Sequence, residues 1–148
     1  MTVTLPRDRH LFGPGPKRIL ALDGGGVRGA LSIGYLERLE KQIEDIAGKP
    51  IPLCDWFDLI GGTSTGAIIA CALALGWRAS DIRDRYKVLG PRVFRRPFYR
   101  LSGIQAKFDA RGLIRELFEI YGERTLDSED LRTGLDRKST RLNSSHRP

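Results

Sequence analysis

Two glycine-rich turns hold the residues whose types and spacing could do chemistry. In "DLIGGTSTGAIIACALALG", residues 58–76, Gly62, Ser64 and Gly66 form a G-x-S-x-G pattern between two apolar runs. A serine in that setting sits on a tight strand-to-helix turn, and the helix N-terminus behind it favours developing negative charge. The chemistry served is nucleophilic attack on an acyl carbonyl. The same letters also fit a plainer arrangement, a glycine turn in which Ser64 or Thr63 only caps the helix.

The second turn is "DGGGVRG", residues 23–29, where Gly24, Gly26 and Gly29 fit G-x-G-x-x-G. Two uses compete for it. A dinucleotide site would seat a pyrophosphate on the turn and needs an acid at the end of the next strand, roughly 20 residues on. Asp45 stands at about that distance, inside a helical pattern. The other use is an oxyanion hole, in which consecutive glycine N–H groups meet a substrate carbonyl oxygen. In a parallel sheet both turns fall at the C-terminal edge, where ligands bind. Arg28 beside the glycines either supports them electrostatically or is a solvated first-turn side chain.

A serine hydrolase ordinarily needs a base, and the chain has two histidines, His10 and His146. At this point the sequence resembles the patatin-like phospholipase family, on the paired motifs "DGGGVRG" and "GGTSTG" and over roughly residues 18–135. The resemblance implies a three-layer α/β/α fold with a parallel-type central sheet. It implies a lipid acyl hydrolase working through a Ser–Asp dyad without histidine, metal or cofactor. Ser64 would be the nucleophile, and Gly24, Gly25 and Gly26 with Arg28 the oxyanion hole. Thr65 N–H would add a donor. The family's catalytic aspartate belongs to a later D-G-[GA] motif, and the only Asp-Gly here is Asp23-Gly24. No base is therefore assigned from Asp55, Asp58, Asp109 or Asp127, and the expectation is that the aspartate lies beyond this fragment. A nucleotide-binding module at 24–29 and a non-catalytic domain of the same family are the alternatives.

The elements that must position these turns can be read from periodicity. "RILALD" is an apolar run suited to a parallel strand covered on both faces. Leu36, Leu39, Ile43 and Ile46 predict a helix over 29–47, stopped by Gly48 and Pro50. A second buried strand is expected near 57–61, then an all-round apolar helix from Ser64. "SDIRDRYKVLG" predicts a helix with Ser80 as N-cap and Gly90-Pro91 as stop, and "DARGLIRELFEIYG" one with Asp109 as N-cap and Gly122 as stop. "TLDSEDLRTGL" reads as a short helical turn, and residues 1–17 as a loop segment. Strand–helix alternation with two visible strands is α/β architecture lacking further strands, which are expected beyond residue 135.

Residues 136–146, "DRKSTRLNSSH", match at every position the translation of a common sequencing-library adapter. The tail 136–148 is therefore expected to be artefactual, and 18–135 to be the N-terminal part of an incomplete domain. Arg137, Lys138, Arg141 and Arg147 against Asp136 give the tail three of the formal charge of +7 and leave the rest only mildly basic. No nucleic-acid-binding motif accompanies that charge. "RVFRRPFYR", residues 92–100, is either a peripheral membrane contact with anionic headgroups or a solvated loop with inward aromatics. Cys54 and Cys71 lack metal-ligand spacing and read as small buried hydrophobes. No apolar run approaches the roughly 20 residues of a membrane span. The N-terminus has no secretory signal pattern, so the expected location is cytoplasmic.

Overall fold

The computed structural model describes residues 5–25, 29–94 and 110–137. Its elements in chain order are α1 (Pro6–Phe12), β1 (Ile19–Leu22), α2 (Gly29–Ala47), α3 (Leu53–Trp56), β2 (Leu59–Gly62), α4 (Thr65–Ala74), α5 (Ala79–Phe94), α6 (Ala110–Tyr121) and β3 (Gly134–Arg137). The strands form a parallel sheet in the order β1-β2-β3. Parallel neighbours need long crossovers, and α2 with α3, then α4 to α6, supply them. Helix α4 packs along all three strands, while α2 and α5 pack on each other and on α4. The core gathers Ile33, Leu36 and Ile43 of α2, Ile60 of β2, and Ile69 and Leu73 of α4.

The predicted helix over 29–47 forms as expected and ends at Gly48, whose φ of +68° suits glycine and whose N–H donates to Glu44 O at 2.8 Å. Its buried stripe departs from the expectation. Glu40 is buried among the apolar positions, and Ile46 is 78% exposed in the last turn. Glu40 Oε2 accepts the Ala79 N–H at 3.2 Å, and Arg78 Nε lies 3.3 Å from Oε1. Burial pushes the Glu40 carboxyl up, against the Ala79 bond and the Arg78 charge. This carboxylate, with Asp81 Oδ2 accepting Arg78 N–H at 3.3 Å, caps α5. The helix therefore starts before Ser80, which does not cap it, and its backbone continues through Gly90-Pro91 to Phe94. Proline tolerates the helical φ; it removes one N–H but does not force an end.

Four other expectations are corrected. Residues 1–17 contain a helix, α1, with Pro6 in its first turn, where a missing N–H costs nothing. Strand β1 is not covered on both faces: Ile19 is 63% exposed while Leu22 is buried. It ends the described sheet, and α4 shields only one side. Residues 125–133 form turns rather than a helix and lead into β3, the third strand. Thr133 Oγ1 donates to Phe57 O at 2.6 Å, and Arg132 grips both Asp55 oxygens at 2.8 and 2.7 Å, aligning this strand with β2. Asp136 and Arg137 continue the ladder opposite Gly61 and Gly62. Backbone pairing needs no particular side chain, which is why this strand has no sequence signature. Cys54 is fully buried, its thiol pushed up to about 12 by burial and by Asp55, whereas Cys71 is only half-buried.

Asp58 fastens α1 to the start of β2. Its Oδ2 accepts the Arg18 N–H at 2.7 Å, and its Oδ1 lies 3.2 Å from His10 Nδ1. These bonds, the Arg18 N–H foremost, hold its carboxyl below the usual range. A depressed folded pKa stabilises above the unfolded value of about 3.9 and loses that effect as pH falls through the folded value. Asp58→Asn is therefore expected to cost about 1–2 kcal/mol at pH 7, measured as a urea midpoint shift. The deficit should shrink below about pH 4; a deficit independent of pH would overturn this role.

Candidate functional site

Strand register decides where the two turns meet. Leu22 pairs with Gly62, so the chain leaves β1 and β2 at the same level and both turns open on the C-terminal sheet edge. After Gly62 the chain reverses within two residues. Ser64 takes φ 50° and ψ −123°, the only positive φ of a non-glycine residue among those described, and α4 begins at Thr65. Ser64 is exposed, whereas Thr65 and Gly66 behind it are buried. Exposure at the tip, against the N-terminus of α4 and its partial positive charge, is the arrangement expected of a mounted nucleophile.

The glycines make this turn possible by close approach. A Cβ at Gly62 would lie 2.7 Å from Ala67 N, and one at Gly66 would fall on the Leu22 carbonyl oxygen and within 2.8 Å of Asp23 O. Gly66 is thus the point where α4 starts directly against the end of β1.

The second turn presses on the first. A Cβ at Gly24 would stand 2.6 Å from Thr63 O and 2.7 Å from Ser64 Cβ. The Gly24 N–H donates to Thr63 Oγ1 at 3.0 Å, and the Thr63 N–H donates to Leu22 O at 3.1 Å. Gly24 N–H is therefore engaged within the protein. At the far end of the motif, a Cβ at Gly29 would lie 2.7 Å from Thr65 Cγ2 and 2.8 Å from Tyr86 Oη. Gly26, Val27 and Arg28 lie outside the described residues, as do residues 95–100 of the basic-aromatic stretch and Asp109.

The structure separates the histidine from the serine. His10 pairs with Asp58, which precedes β2, while Ser64 follows it. Four strand residues, at about 3.3 Å each, stand between them. The other carboxylates considered are engaged elsewhere: Asp55 with Arg132, and Asp127 with the Thr125 hydroxyl. The dinucleotide reading finds no acid in its required place, since β2 ends at Gly62 and is followed by Thr63, and Asp45 lies on the exposed face of α2. No group of metal-ligating side chains occurs among the described residues. None of the described helices is long and apolar enough to cross a membrane. The structure sets Gly24 against Ser64 and adds two neighbours that sequence reasoning missed, Thr63 Oγ1 and Tyr86. A hydroxyl at the x of G-x-S-x-G was a visible cue for the first, whereas nothing in the sequence pointed to the second.

The chain is similar to known proteins. A family model described as patatin-like phospholipase matches residues 20–145. The chain is 38% identical over 124 residues to a cUMP-AMP-activated phospholipase of Escherichia coli, covering 84% of this chain and 34% of that protein. It is 40% identical over 86 residues to Patatin-like protein 1 of Arabidopsis thaliana, covering 53% and 21%. It is 35% identical over 119 residues to a cGAMP-activated phospholipase of Vibrio cholerae, covering 72% and 33%. The chain spans about a third or less of the length of these relatives.

Proposed function

Because the chain belongs to the patatin-like phospholipase family, we propose that it carries the nucleophile and oxyanion turn of a lipid acyl hydrolase. The observation that most supports this is the contact of Gly24 with an exposed, strained Ser64. A serine used only as a helix cap needs neither the strain nor a second glycine turn against its Cβ.

In this reading Ser64 Oγ attacks an ester carbonyl as its proton passes to the dyad aspartate. The carbonyl oxygen, now negative, accepts N–H bonds from Gly25 and Gly26, with Thr65 N–H as a further donor. Gly24 serves by lacking a side chain, and Arg28 adds positive potential. Collapse of the tetrahedral intermediate expels the alcohol, which takes up the proton, and leaves an acyl-serine. Water then attacks the acyl-serine, giving one proton to the aspartate, and collapse releases the fatty acid as that proton passes to Ser64 Oγ. The aspartate is assigned to the part of the relatives' length that this chain does not cover, so the 148-residue chain should turn over esters poorly. Residues 92–100 are assigned to contact with the lipid surface. The test is a serine-reactive fluorophosphonate with peptide mapping: an adduct on Ser64 is expected. An unmodified Ser64 in a folded protein that includes the aspartate would favour the non-catalytic alternative.

Two relatives carry names that specify activation by cUMP-AMP and by cGAMP. A cyclic dinucleotide is thus a candidate activator here. Calorimetry with both compounds tests it, and heat that is lost in Gly26→Ala would point to the turn 24–29 as a nucleotide site.

A further inference from the structure

The Ser64 elbow and the glycine turn come from different strands, yet an oxyanion hole works only if its donors stand within a few tenths of an ångström of their place relative to the nucleophile. Thr63 makes three bonds at this junction, two of them across it. Its N–H donates to Leu22 O at 3.1 Å, its carbonyl accepts the Gly66 N–H at 2.9 Å, and its Oγ1 accepts the Gly24 N–H at 3.0 Å. The first two are backbone bonds that any residue would form. The third alone depends on the side chain, and it joins the residue before the nucleophile to the first residue of the facing turn. It also fixes the orientation of the Asp23–Gly24 peptide. The space beside it is filled: a Cβ on Gly24 has no room, and Gly29 is pressed by Thr65 and Tyr86.

We propose that Thr63 is a positioning residue for acyl transfer, its hydroxyl setting the start of the glycine turn, at Gly24, at working distance from Ser64. This rests on the reading of Ser64 as nucleophile. The chemistry requires an acceptor oxygen on a short side chain at position 63. Serine satisfies that requirement; valine has the shape of threonine without the acceptor.

The test compares Thr63→Ser and Thr63→Val in the longer protein that includes the dyad aspartate, by two measurements. Amide hydrogen exchange should show Gly24 N–H protection kept in Thr63→Ser and lost in Thr63→Val, with circular dichroism unchanged. The rate of fluorophosphonate addition to Ser64 should fall on the order of 10- to 100-fold in Thr63→Val and stay close to that of the unsubstituted protein in Thr63→Ser. Equal labelling rates in all three proteins would overturn the proposal while leaving Ser64 a nucleophile. So would a Thr63→Ser rate as slow as that of Thr63→Val, because packing rather than the hydroxyl would then be responsible. If Thr63→Val unfolds, Thr63→Ser and Thr63→Asn carry the test, and loss of Gly24 protection in Thr63→Ser would count against the proposal. Absence of any Ser64 adduct in the unsubstituted protein sinks the nucleophile reading itself, and the positioning role with it.

Discussion

Ser64→Ala is expected to reduce ester hydrolysis by the domain with its aspartate by at least about 10³-fold, while leaving the fold intact. Losing the nucleophile of a comparable serine hydrolase costs up to roughly 10⁶ in kcat, and what survives comes from the oxyanion donors and substrate binding. The fall should appear in kcat with KM little changed, because Ser64 Oγ bonds covalently only as the reaction proceeds. Stability provides a second readout. Ser64 sits at φ 50°, a conformation that costs an L-residue on the order of 1–3 kcal/mol. Alanine bears the same strain, so its melting temperature should match that of the unsubstituted protein. Ser64→Gly removes the strain and should be equally inactive yet more stable, by about 1 kcal/mol after glycine's greater unfolded-state entropy is counted. Full activity in Ser64→Ala would end the assignment, and a glycine variant no more stable than the alanine one would remove the strain argument.

The second large effect concerns one substitution at two places. Gly66→Ala should destabilise by about 3 kcal/mol or more, or prevent folding altogether. Its Cβ would meet the Leu22 carbonyl oxygen and Asp23 O, both backbone atoms of the neighbouring strand end, which cannot swing aside as a side chain does. Relief requires moving α4 away from β1, which also moves Ser64 relative to the glycine turn. Gly34→Ala on α2 has no neighbour within 4 Å of the new Cβ. There alanine should stabilise by up to about 1 kcal/mol through helix propensity. Urea denaturation of the two variants decides the matter: a Gly66→Ala protein as stable as Gly34→Ala would mean that the close approach at the elbow is not real.

Much of this was readable in the chain before any coordinates. Helix α2 announced itself by an apolar repeat and a glycine stop. The helix α4 showed as an all-round apolar run, and the two turns by their glycines. What escaped lacked a local cause. Helix α3 is one turn of four residues, too short for a period to register. Strand β3 is specified by backbone pairing with β2 and by the Arg132–Asp55 grip, neither of which leaves a pattern near Gly134. The start of α5 is fixed by Glu40, nearly forty residues earlier in the chain, so the polar residue next to the helix drew the cap assignment to Ser80. At the site, Ser64 and Gly24 were visible as motif letters. The bond from Gly24 to Thr63 was not, because it exists only once β1 and β2 are paired in the observed register.

The crowding at Gly29 has a consequence on the evolutionary scale. Thr65 Cγ2 and Tyr86 Oη both border the space that a side chain at Gly29 would need. The three positions share one small volume, and no one of them can grow unless another shrinks. Across diverging descendants of this chain, an alanine at 29 should be found with a serine at 65 or a smaller residue at 86, and seldom alone. A deep mutational scan would show the same dependence as epistasis, with Gly29→Ala tolerated only in backgrounds that already carry one of those reductions.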